Sequence, residues 1–393
     1  MLRSIPKQGR STIVPISICA IEPSGQQYGS ELALLDILVG LAKDRFNSYV
    51  ILPKDGTFRV RLAESKIPFF EFLRIDLQSG RNVQRAFSYA RIFLHWLTNR
   101  PDVILVNQGG ILRGIALCNF LFRKPIVCLV TTIEDAVHMS KLPTWVFRHV
   151  RKIVCNSEYT SARVNIKVKA GSGQGISIVD RNQVVYCSYL PKNLYSVRPA
   201  WNPNNEHQKF FVGILGRICN SKGHDLLLNA LACLKKQDSK WLKRIEVAFV
   251  GDYSQQEEQS MRKLIAGAPV SVQVTGFRKD IKPELARLHL LLIPSRAEPF
   301  GRVVQEAADA GIPVIASNTG GLAEICSRYH YGALFNYPSA EDLAGHIESA
   351  MQNYDQLVDE SHANRVGFLA TFEYKKIMAE VEELLVRSCE SHR

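Results

Sequence analysis

The chain has 393 residues, which allows two or three domains with sizeable cores, and its 46% apolar and 22% charged content excludes disordered, collagenous and coiled-coil proteins. The net charge is +12, and it is unevenly distributed. Residues 1–200 carry 27 basic and 13 acidic side chains, whereas residues 201–393 carry 22 basic and 24 acidic side chains. We therefore expect only the first half of the chain to behave as a cation toward its surroundings.

Short apolar runs alternate with longer segments of helical periodicity through the first half. This alternation is typical of a parallel sheet covered by helices on both faces. The predicted strands are residues 13–21, 48–52, 69–72, 103–106, 126–130, 153–155 and 184–186. The predicted helices include residues 30–43 and 82–98. The first half therefore predicts an α/β domain.

A polar stretch with two prolines and no periodicity, SVRPAWNPNNEHQ, follows at residues 196–208. We place the domain boundary there, between an N-terminal domain over residues 1–200 and a C-terminal domain over residues 201–372. The second half repeats the alternation, with strands at 210–215, 245–250, 270–274, 290–293 and 314–316 and helices at 223–236, 257–266 and 302–310. Apolar residues at helical spacing then predict a closing helix within residues 373–393, and these are Ile377, Val381, Leu384 and Leu385.

The chain contains no run of 18 apolar residues, so it predicts no transmembrane helix. Three basic residues precede the first apolar stretch, as in a signal peptide, but that stretch contains Pro15 and leads into a glycine loop and a helix, as a buried strand does. The nine cysteines form no pair or cluster with metal-ligand spacing. We expect a reduced, cytoplasmic protein without a metal site, able to lie peripherally on the inner face of a membrane.

The predicted strand 210–215 runs into the sequence GRICNSKG. Here Gly216 and Arg217 precede Lys222 and Gly223 at the start of a helix. Unpaired N–H groups at a helix start attract anions, and two cations six positions apart suit the two phosphates of a diphosphate. Two solvated cations on a glycine turn are the alternative interpretation of this segment alone.

A second candidate site follows the strand 290–293. Glu298 precedes Gly301, which allows the backbone to approach a ligand before a helix begins at Arg302. Glu306 lies two helical turns after Glu298, so both carboxylates can face one crevice and accept hydrogen bonds from sugar hydroxyls. For Glu306 alone, a solvated helix face is the alternative. We also expect the glycines at 320 and 321 to approach a phosphate or a sugar.

Three motifs occur in order across residues 207–350: G-R-x4-K-G, P-S-x2-E-P-F-G-x4-E-A and G-x-P-V-I-A-S-x2-G-G-x2-E. With them the chain resembles the family 4 glycosyltransferases of the GT-B fold. The resemblance implies two Rossmann-like, doubly wound α/β domains facing a central cleft, with the C-terminal helix crossing back to the N-terminal domain. It also implies a nucleotide diphosphate sugar as donor, UDP- or GDP-linked, and no cofactor.

The resemblance assigns roles to residues of the second half. Arg217 and Lys222, beside Gly216, hold the donor diphosphate. Glu306 binds the ribose, and Glu298 contacts the donor sugar. The remaining contacts come from the segment at Phe300, Gly301, Arg302 and Val303.

Two further positions of the second half match the family pattern. The sequence VTGFRKD, with Gly276, Phe277 and Arg278, resembles the segment that lies against the nucleobase. A strand exit with a solvated Arg278 is the alternative there. Glu324, which closes the third motif, is expected to tether the start of a helix.

The first half matches the family more loosely, as acceptor domains do. In QYGSE, Gly29 matches the second glycine of the family loop that approaches the donor phosphates, while Tyr28 replaces the first. In LVTTIEDAV, Glu134 occupies the place after the fifth strand where the family commonly carries a histidine. The resemblance gives Glu134 a catalytic role beside Glu298, Arg217 and Lys222; a helix cap or an ion pair with an arginine is the alternative.

The chain has no DxD triplet, which the usual metal-bridged diphosphate site requires. The resemblance therefore implies metal-independent transfer, with the leaving-group charge stabilised by cations and a helix N-terminus. The family chemistry is retaining: the acceptor hydroxyl attacks the face from which the nucleotide diphosphate leaves.

These observations predict a retaining hexosyltransferase acting on a lipid-linked or cell-surface glycan. An epimerase or hydrolase of nucleotide sugars on the same fold, and a nonenzymatic nucleotide-sugar or nucleic-acid binding protein, are the alternatives. No nucleic acid partner is expected, because the basic residues are scattered and not interleaved with aromatic residues. We expect an anionic membrane surface as a partner, contacted through the helix 82–98, for which an ordinary buried helix is the alternative.

Overall fold

The computed structural model describes residues 14–26, 29–72, 82–139, 141–171 and 181–390. Seven parallel strands form the first sheet in the order β3-β2-β1-β4-β5-β6-β7. They are β1 (Ile16–Ile21), β2 (Phe46–Pro53), β3 (Phe69–Phe72), β4 (Val103–Asn107), β5 (Ile126–Val130), β6 (Val150–Cys155) and β7 (Asn182–Val184). Its helices are α1 (Gly29–Gly40), α2 (Phe58–Glu64), α3 (Asn82–Thr98), α4 (Leu112–Cys118), α5 (Ile133–Met139) and α6 (Glu158–Gly171).

The second sheet has six parallel strands in the order β10-β9-β8-β11-β12-β13. They are β8 (Phe210–Leu215), β9 (Ile245–Val250), β10 (Val272–Val274), β11 (Leu290–Ile293), β12 (Val314–Ser317) and β13 (Ala333–Phe335). The helices of this half are α7 (His224–Lys236), α8 (Glu258–Ala266), α9 (Lys282–Ala286), α10 (Arg302–Ala310), α11 (Gly320–Tyr329), α12 (Ala340–Gln352), α13 (Tyr354–Thr371) and α14 (Tyr374–Glu390). The predicted fold class, two doubly wound parallel α/β halves, is confirmed.

Strand order reverses direction at one point in each sheet. β1 pairs with β2 on one side and β4 on the other, and β8 pairs in the same way with β9 and β11. At such a point the loops leaving the two central strands diverge, which opens a crevice at their carboxyl ends. The crevice of the second sheet therefore lies between the segments that follow residues 215 and 293, which carry the two predicted donor motifs.

The closing helix α14 packs on the first sheet, as the fold predicts. The predicted apolar positions, together with Met378, are all buried, and α14 contacts α1, β4 and β5. Glu382 accepts a hydrogen bond from the backbone N–H of Ala42 at 2.8 Å and pairs with Arg45 at 2.5 Å. The end of the chain thus contributes to the core of the first half.

The segment predicted as a linker is packed against the second half. The buried Arg198 guanidinium donates hydrogen bonds to the carbonyls of Leu285 at 3.0 Å and Leu288 at 3.1 Å. Trp201 donates its indole N–H to the carbonyl of Met351 at 2.6 Å. Among the described residues, no helix is long and apolar enough to span a membrane.

Candidate active site

The predicted diphosphate and sugar motifs meet at the carboxyl ends of β8 and β11. The Lys222 ammonium lies 2.5 Å from Oε2 of Glu298, and both side chains are mostly buried, with 28% and 17% of their surface exposed. Arg217 follows Gly216 in the chain, and its side chain is exposed. The structure thus brings two of the predicted catalytic residues, Lys222 and Glu298, into direct contact.

The glycines of this turn have different functions. Gly223 has φ +75°, and a Cβ there would lie 1.9 Å from the carbonyl oxygen of Pro294, so only glycine fits the turn. Gly216 has φ +132°, and a Cβ there would meet nothing within 4 Å except the Lys222 side chain at 3.9 Å. The space beside Gly216 and Lys222 is therefore open to a ligand.

The Glu298 loop is fixed by contacts with both halves. The N–H of Gly321 donates to the carbonyl of Glu298 at 2.7 Å, and a Cβ on Gly320 would lie 2.4 Å from the same oxygen. From the first half, the Ser157 hydroxyl donates to the carbonyl of Pro299 at 2.6 Å. The glycines at 320 and 321, which we expected to approach a ligand, pack against this loop instead because their missing side chains make room for its backbone.

The start of α10 presents backbone and carboxylate groups. Phe300 buries its ring, so this residue can offer only its backbone groups to a ligand. Gly301 caps the helix in the left-handed region with φ +103°. The Arg302 guanidinium donates to Asp36 of the first half at 2.8 Å, which leaves the N–H groups at Arg302 and Val303 as the anion-binding element of this helix.

Glu306, the predicted ribose ligand, is largely buried at 18% side-chain exposure and pairs with Lys192 at 2.6 Å. Lys192 belongs to the segment that connects the two halves, and no local sequence pattern identifies it. The structure therefore adds a further cation beside a predicted donor residue. Gly276 and Phe277 lie at the exit of β10 with the Phe277 ring 68% exposed, and Arg278 pairs with Glu284 at 3.3 Å.

Glu324 has the tethering position that the motif predicts. Its carboxylate accepts hydrogen bonds from the N–H groups of Glu158 at 3.1 Å and Tyr159 at 3.0 Å, at the start of α6, and from the Tyr186 hydroxyl at 2.7 Å. An anion is stabilised at a helix N-terminus by the unpaired N–H groups and the helix dipole. Because α6 belongs to the first half, this tether also joins the two halves of the molecule.

On the first half, Glu134 lies in the first turn of α5, just after the central strand β5, and its side chain is exposed. Its neighbour Asp135 is buried, and burial raises the pKa of that carboxyl to about 7. Gly29 begins α1 in an exposed position, whereas Tyr28 lies outside the described residues. Of the predicted catalytic residues, Glu134 thus follows a strand of the first sheet, whereas Arg217, Lys222 and Glu298 follow strands of the second sheet.

A buried polar cluster that the sequence did not predict occupies the ends of β1 and β4. Glu22 and Glu31 are both buried, and Asn107 donates its amide to Glu22. Burial, reinforced by the nearby Glu31 carboxylate, raises the pKa of Glu22 well above its usual range. Gln108 has φ +72°, which is rare for a residue with a side chain, and donates its amide to the Ser30 hydroxyl at 3.3 Å.

A comparison with protein families identifies the second half. Residues 199–365 match the family model described as Glycosyl transferases group 1. The chain carries a group 1 glycosyltransferase domain. This domain contains every donor-site residue named above from Gly216 to Glu306, and the predicted family resemblance is confirmed.

Individual relatives match stretches of the chain of different length. D-inositol 3-phosphate glycosyltransferase 1 of Catenulispora acidiphila is 37% identical over 123 residues, which are 30% of this chain and 29% of that protein. A protein of the cps region of Klebsiella pneumoniae is 26% identical over 318 residues, covering 78% of this chain and 83% of that protein. The alignments with the first four curated relatives span between 29% and 38% of their lengths.

Solved structures resemble the whole chain. HepE of Anabaena, in complex with UDP and glucose, superposes with a TM-score of 0.76 at 23% identity, covering 94% of this chain and 99% of that chain. Sucrose-phosphate synthase of Thermosynechococcus elongatus superposes with a TM-score of 0.74 at 15% identity, covering 96% and 100%. At these identities the likeness establishes the fold, and the GT-B architecture around the group 1 domain is confirmed.

Proposed function

We propose that this protein is a retaining glycosyltransferase that moves a hexose from a UDP- or GDP-linked sugar to a hydroxyl of a lipid-linked or cell-surface glycan. The contact between Lys222 and Glu298 beside the open space at Gly216 carries this proposal. It provides a cation for a phosphate and a carboxylate for sugar hydroxyls at one point of the crevice. The relatives named as glycosyltransferases and the solved complexes of HepE with UDP and UDP-glucose support it.

In this proposal the donor lies along the carboxyl ends of β8 and β11. Arg217 and Lys222 bind the diphosphate together with the N–H groups at the start of α10. Glu298 releases part of its contact with Lys222 to accept hydrogen bonds from the hexose, and Glu306 shares its carboxylate between Lys192 and the ribose. The nucleobase lies against Gly276, Phe277 and Arg278.

The same residues account for leaving-group stabilisation. Negative charge develops on the diphosphate as the glycosidic bond breaks, and fixed cations and N–H groups stabilise it without reorganising. We infer that this set acts without a metal ion, since the sequence has no DxD triplet. The acceptor hydroxyl attacks from the side of the first half, where Glu134 lies, and passes its proton to a leaving phosphate oxygen or to this carboxylate.

The donor assignment is tested by titrating the protein with UDP, GDP, UDP-glucose and GDP-linked hexoses in a calorimeter. Glu306→Ala leaves two ribose hydroxyls without an acceptor, and loss of a charged hydrogen bond costs about 1.5–3 kcal/mol, so nucleotide affinity should fall about tenfold or more. Glu360→Ala, at an exposed position on α13, is the matched control and should bind as the parent does.

Three results would contradict parts of the proposal. Failure of the parent protein to bind any of these nucleotides rejects the donor site, and unchanged affinity in a folded Glu306→Ala protein rejects the ribose assignment. Product with inverted anomeric configuration, measured by proton NMR, rejects the retaining mechanism. Activity that EDTA abolishes and magnesium or manganese restores rejects metal independence.

A further inference from the structure

An apolar surface lies on the outer side of the first half, on α3, on α4 with the turn after it, and on the 3-10 turn at Thr144–His149. We call it the α3/α4 surface. Each of its large apolar side chains exposes between 42% and 70% of its area, and these are Phe87, Leu94, Leu97, Leu117, Phe120, Leu121 and Trp145. Contiguous exposed apolar area of this kind marks an interaction site in most proteins.

The two helices present these residues on one side of the molecule. The opposite faces of α3 and α4 are buried in the same core on one face of the first sheet, through Ile92 and Trp96 and through Leu112 and Ile115. The helices also touch, since a Cβ on Gly114 would lie 2.0 Å from the ring of Tyr89 on α3. Because both helices bury the face toward the sheet, both exposed faces point away from it.

The segments that form the α3/α4 surface carry mostly basic charge. Residues 82–124 contain six basic residues and one acidic residue, Asp102, which lies 4.0 Å from the Lys124 ammonium. The stretch 141–152, which includes the turn that contacts α4, contains four basic residues and no acidic residue. The segments that carry the exposed leucine and phenylalanine side chains are therefore rich in arginine and lysine.

We propose that the α3/α4 surface docks on an anionic lipid bilayer. Its apolar side chains enter the boundary between headgroups and acyl chains, and its arginine and lysine side chains bind lipid phosphates. A nucleic acid matches the charge but leaves the exposed leucines in water, whereas a bilayer accommodates both. This docking does not involve the donor site, so its test is independent of the proposed function.

The docking is tested with the full chain, without nucleotide, by sedimentation with vesicles of phosphatidylcholine alone and of phosphatidylcholine with phosphatidylglycerol at about 3:1. We expect binding to the anionic vesicles to be at least about tenfold stronger and to weaken with salt, since each basic residue at the surface adds to the affinity. Phe120→Ser with Leu121→Ser, and Arg113→Glu with Arg123→Glu, should each reduce binding about tenfold or more. The matched controls Val366→Ser and Lys235→Glu with Lys236→Glu, at exposed sites of the second half, should bind as the parent does.

Trp145 provides an independent readout of the orientation. The other three tryptophans are buried, at 0%, 6% and 7% exposure, whereas Trp145 is 42% exposed. Anionic vesicles should shift its fluorescence to the blue, acyl chains carrying bromine should quench it, and Trp145→Phe should abolish both effects.

The proposal is overturned by equal binding to neutral and anionic vesicles, by binding that both double variants leave unchanged, or by vesicle binding without a Trp145 response. Self-association that Phe120→Ser with Leu121→Ser removes, without vesicle binding, would instead make this surface an interface between copies of the chain.

Discussion

Glu134 combines exposure with a position at the edge of the first sheet. Its carboxylate follows the central strand β5, while the neighbouring Asp135 is buried and holds its proton up to a pKa of about 7. The pair therefore provides one exposed and one buried carboxyl group at neighbouring positions.

Replacing Glu134 distinguishes a catalytic carboxylate from a helix cap. Glu134→Gln keeps the shape and removes the charge, so a role in the transfer step predicts turnover at least tenfold lower with nucleotide affinity nearly unchanged. Steady-state kinetics with saturating donor and calorimetric titration with the nucleotide measure the two quantities. Glu158→Gln, at the start of α6, is the control for a neutralised first-turn carboxylate. Turnover within about twofold of the parent would assign Glu134 to capping.

At the residue scale, sequence motifs identify the candidate donor residues but not the side chains that hold them. Lys222 and Glu298 lie in separate motifs after β8 and β11, and the structure brings them into contact. The partners Lys192 and Asp36 come from distant segments with no local pattern, so only the folded chain reveals them. The polar cluster at Glu22 was missed because isolated carboxylates after a strand resemble ordinary surface residues.

At the scale of elements, α10 is held by the segment that precedes the second half. Asp309 is buried, and its Oδ2 accepts hydrogen bonds from the Tyr189 hydroxyl at 2.9 Å and from the N–H groups of Lys192 at 2.7 Å and Leu194 at 3.4 Å. One carboxylate thus accepts hydrogen bonds from three donors between Tyr189 and Leu194, a stretch that belongs to none of the helices or strands named above. The same stretch places Lys192 beside Glu306.

Removing this carboxylate should weaken the fold. Asp309→Ala leaves buried donors unpaired, and each costs about 1–3 kcal/mol, so we expect the free energy of unfolding to fall by about 3 kcal/mol. Chemical denaturation followed by circular dichroism measures it. Asp359→Ala, at an exposed position on α13, should change it by less than about 0.5 kcal/mol. A loss below about 1 kcal/mol for Asp309→Ala would mean that water replaces the carboxylate.

Most elements were predictable because their periodicity is strong, and the exceptions have physical causes. Seven predicted segments, 69–72, 82–98, 126–130, 210–215, 245–250, 290–293 and 302–310, match the observed bounds. The last predicted strand of the first half, 184–186, is wrong by two residues, since the sheet pairs Asn182–Val184 while the apolar sequence continues beyond it. The helix α13 was not predicted because its apolar residues do not form one clear stripe.

At the scale of the molecule, several of the polar contacts between the two halves lie next to the Glu298 loop and α10. Arg302 pairs with Asp36, Glu324 caps α6, and Ser157 binds the Glu298 loop. The α14 helix adds apolar contact between the second half and the first sheet. The donor loop is thus positioned from both sides, so the stability of the first half bears directly on the site.

The buried carboxyl groups of the first half predict how stability depends on pH. Burial raises the folded-state pKa of Glu22 well above its ordinary value, and that of Asp135 to about 7 from 3.8. Below about pH 3 both groups are mostly protonated whether the chain is folded or not. As the pH rises, the unfolded chain releases these protons first, so folding becomes less favourable until the folded-state pKa values are passed. The free energy of unfolding should therefore fall between about pH 4.5 and pH 8, by on the order of a few kcal/mol, at 1.36 kcal/mol per pKa unit.

Glu22→Gln and Asp135→Asn test the origin of this dependence, because each removes one titrating group and keeps its shape. Urea denaturation at several pH values should show a smaller loss of stability between pH 5 and pH 8 in each variant than in the parent, and the smallest loss in the double variant. Glu64→Gln, an exposed carboxylate at the end of α2, should leave the parent's slope unchanged. A parent whose stability rises over this range, or a slope that survives both substitutions, would show that Glu22 and Asp135 are ionised in the folded protein, with the charge stabilised by the surrounding Ser24, Asn107 and Thr132 groups.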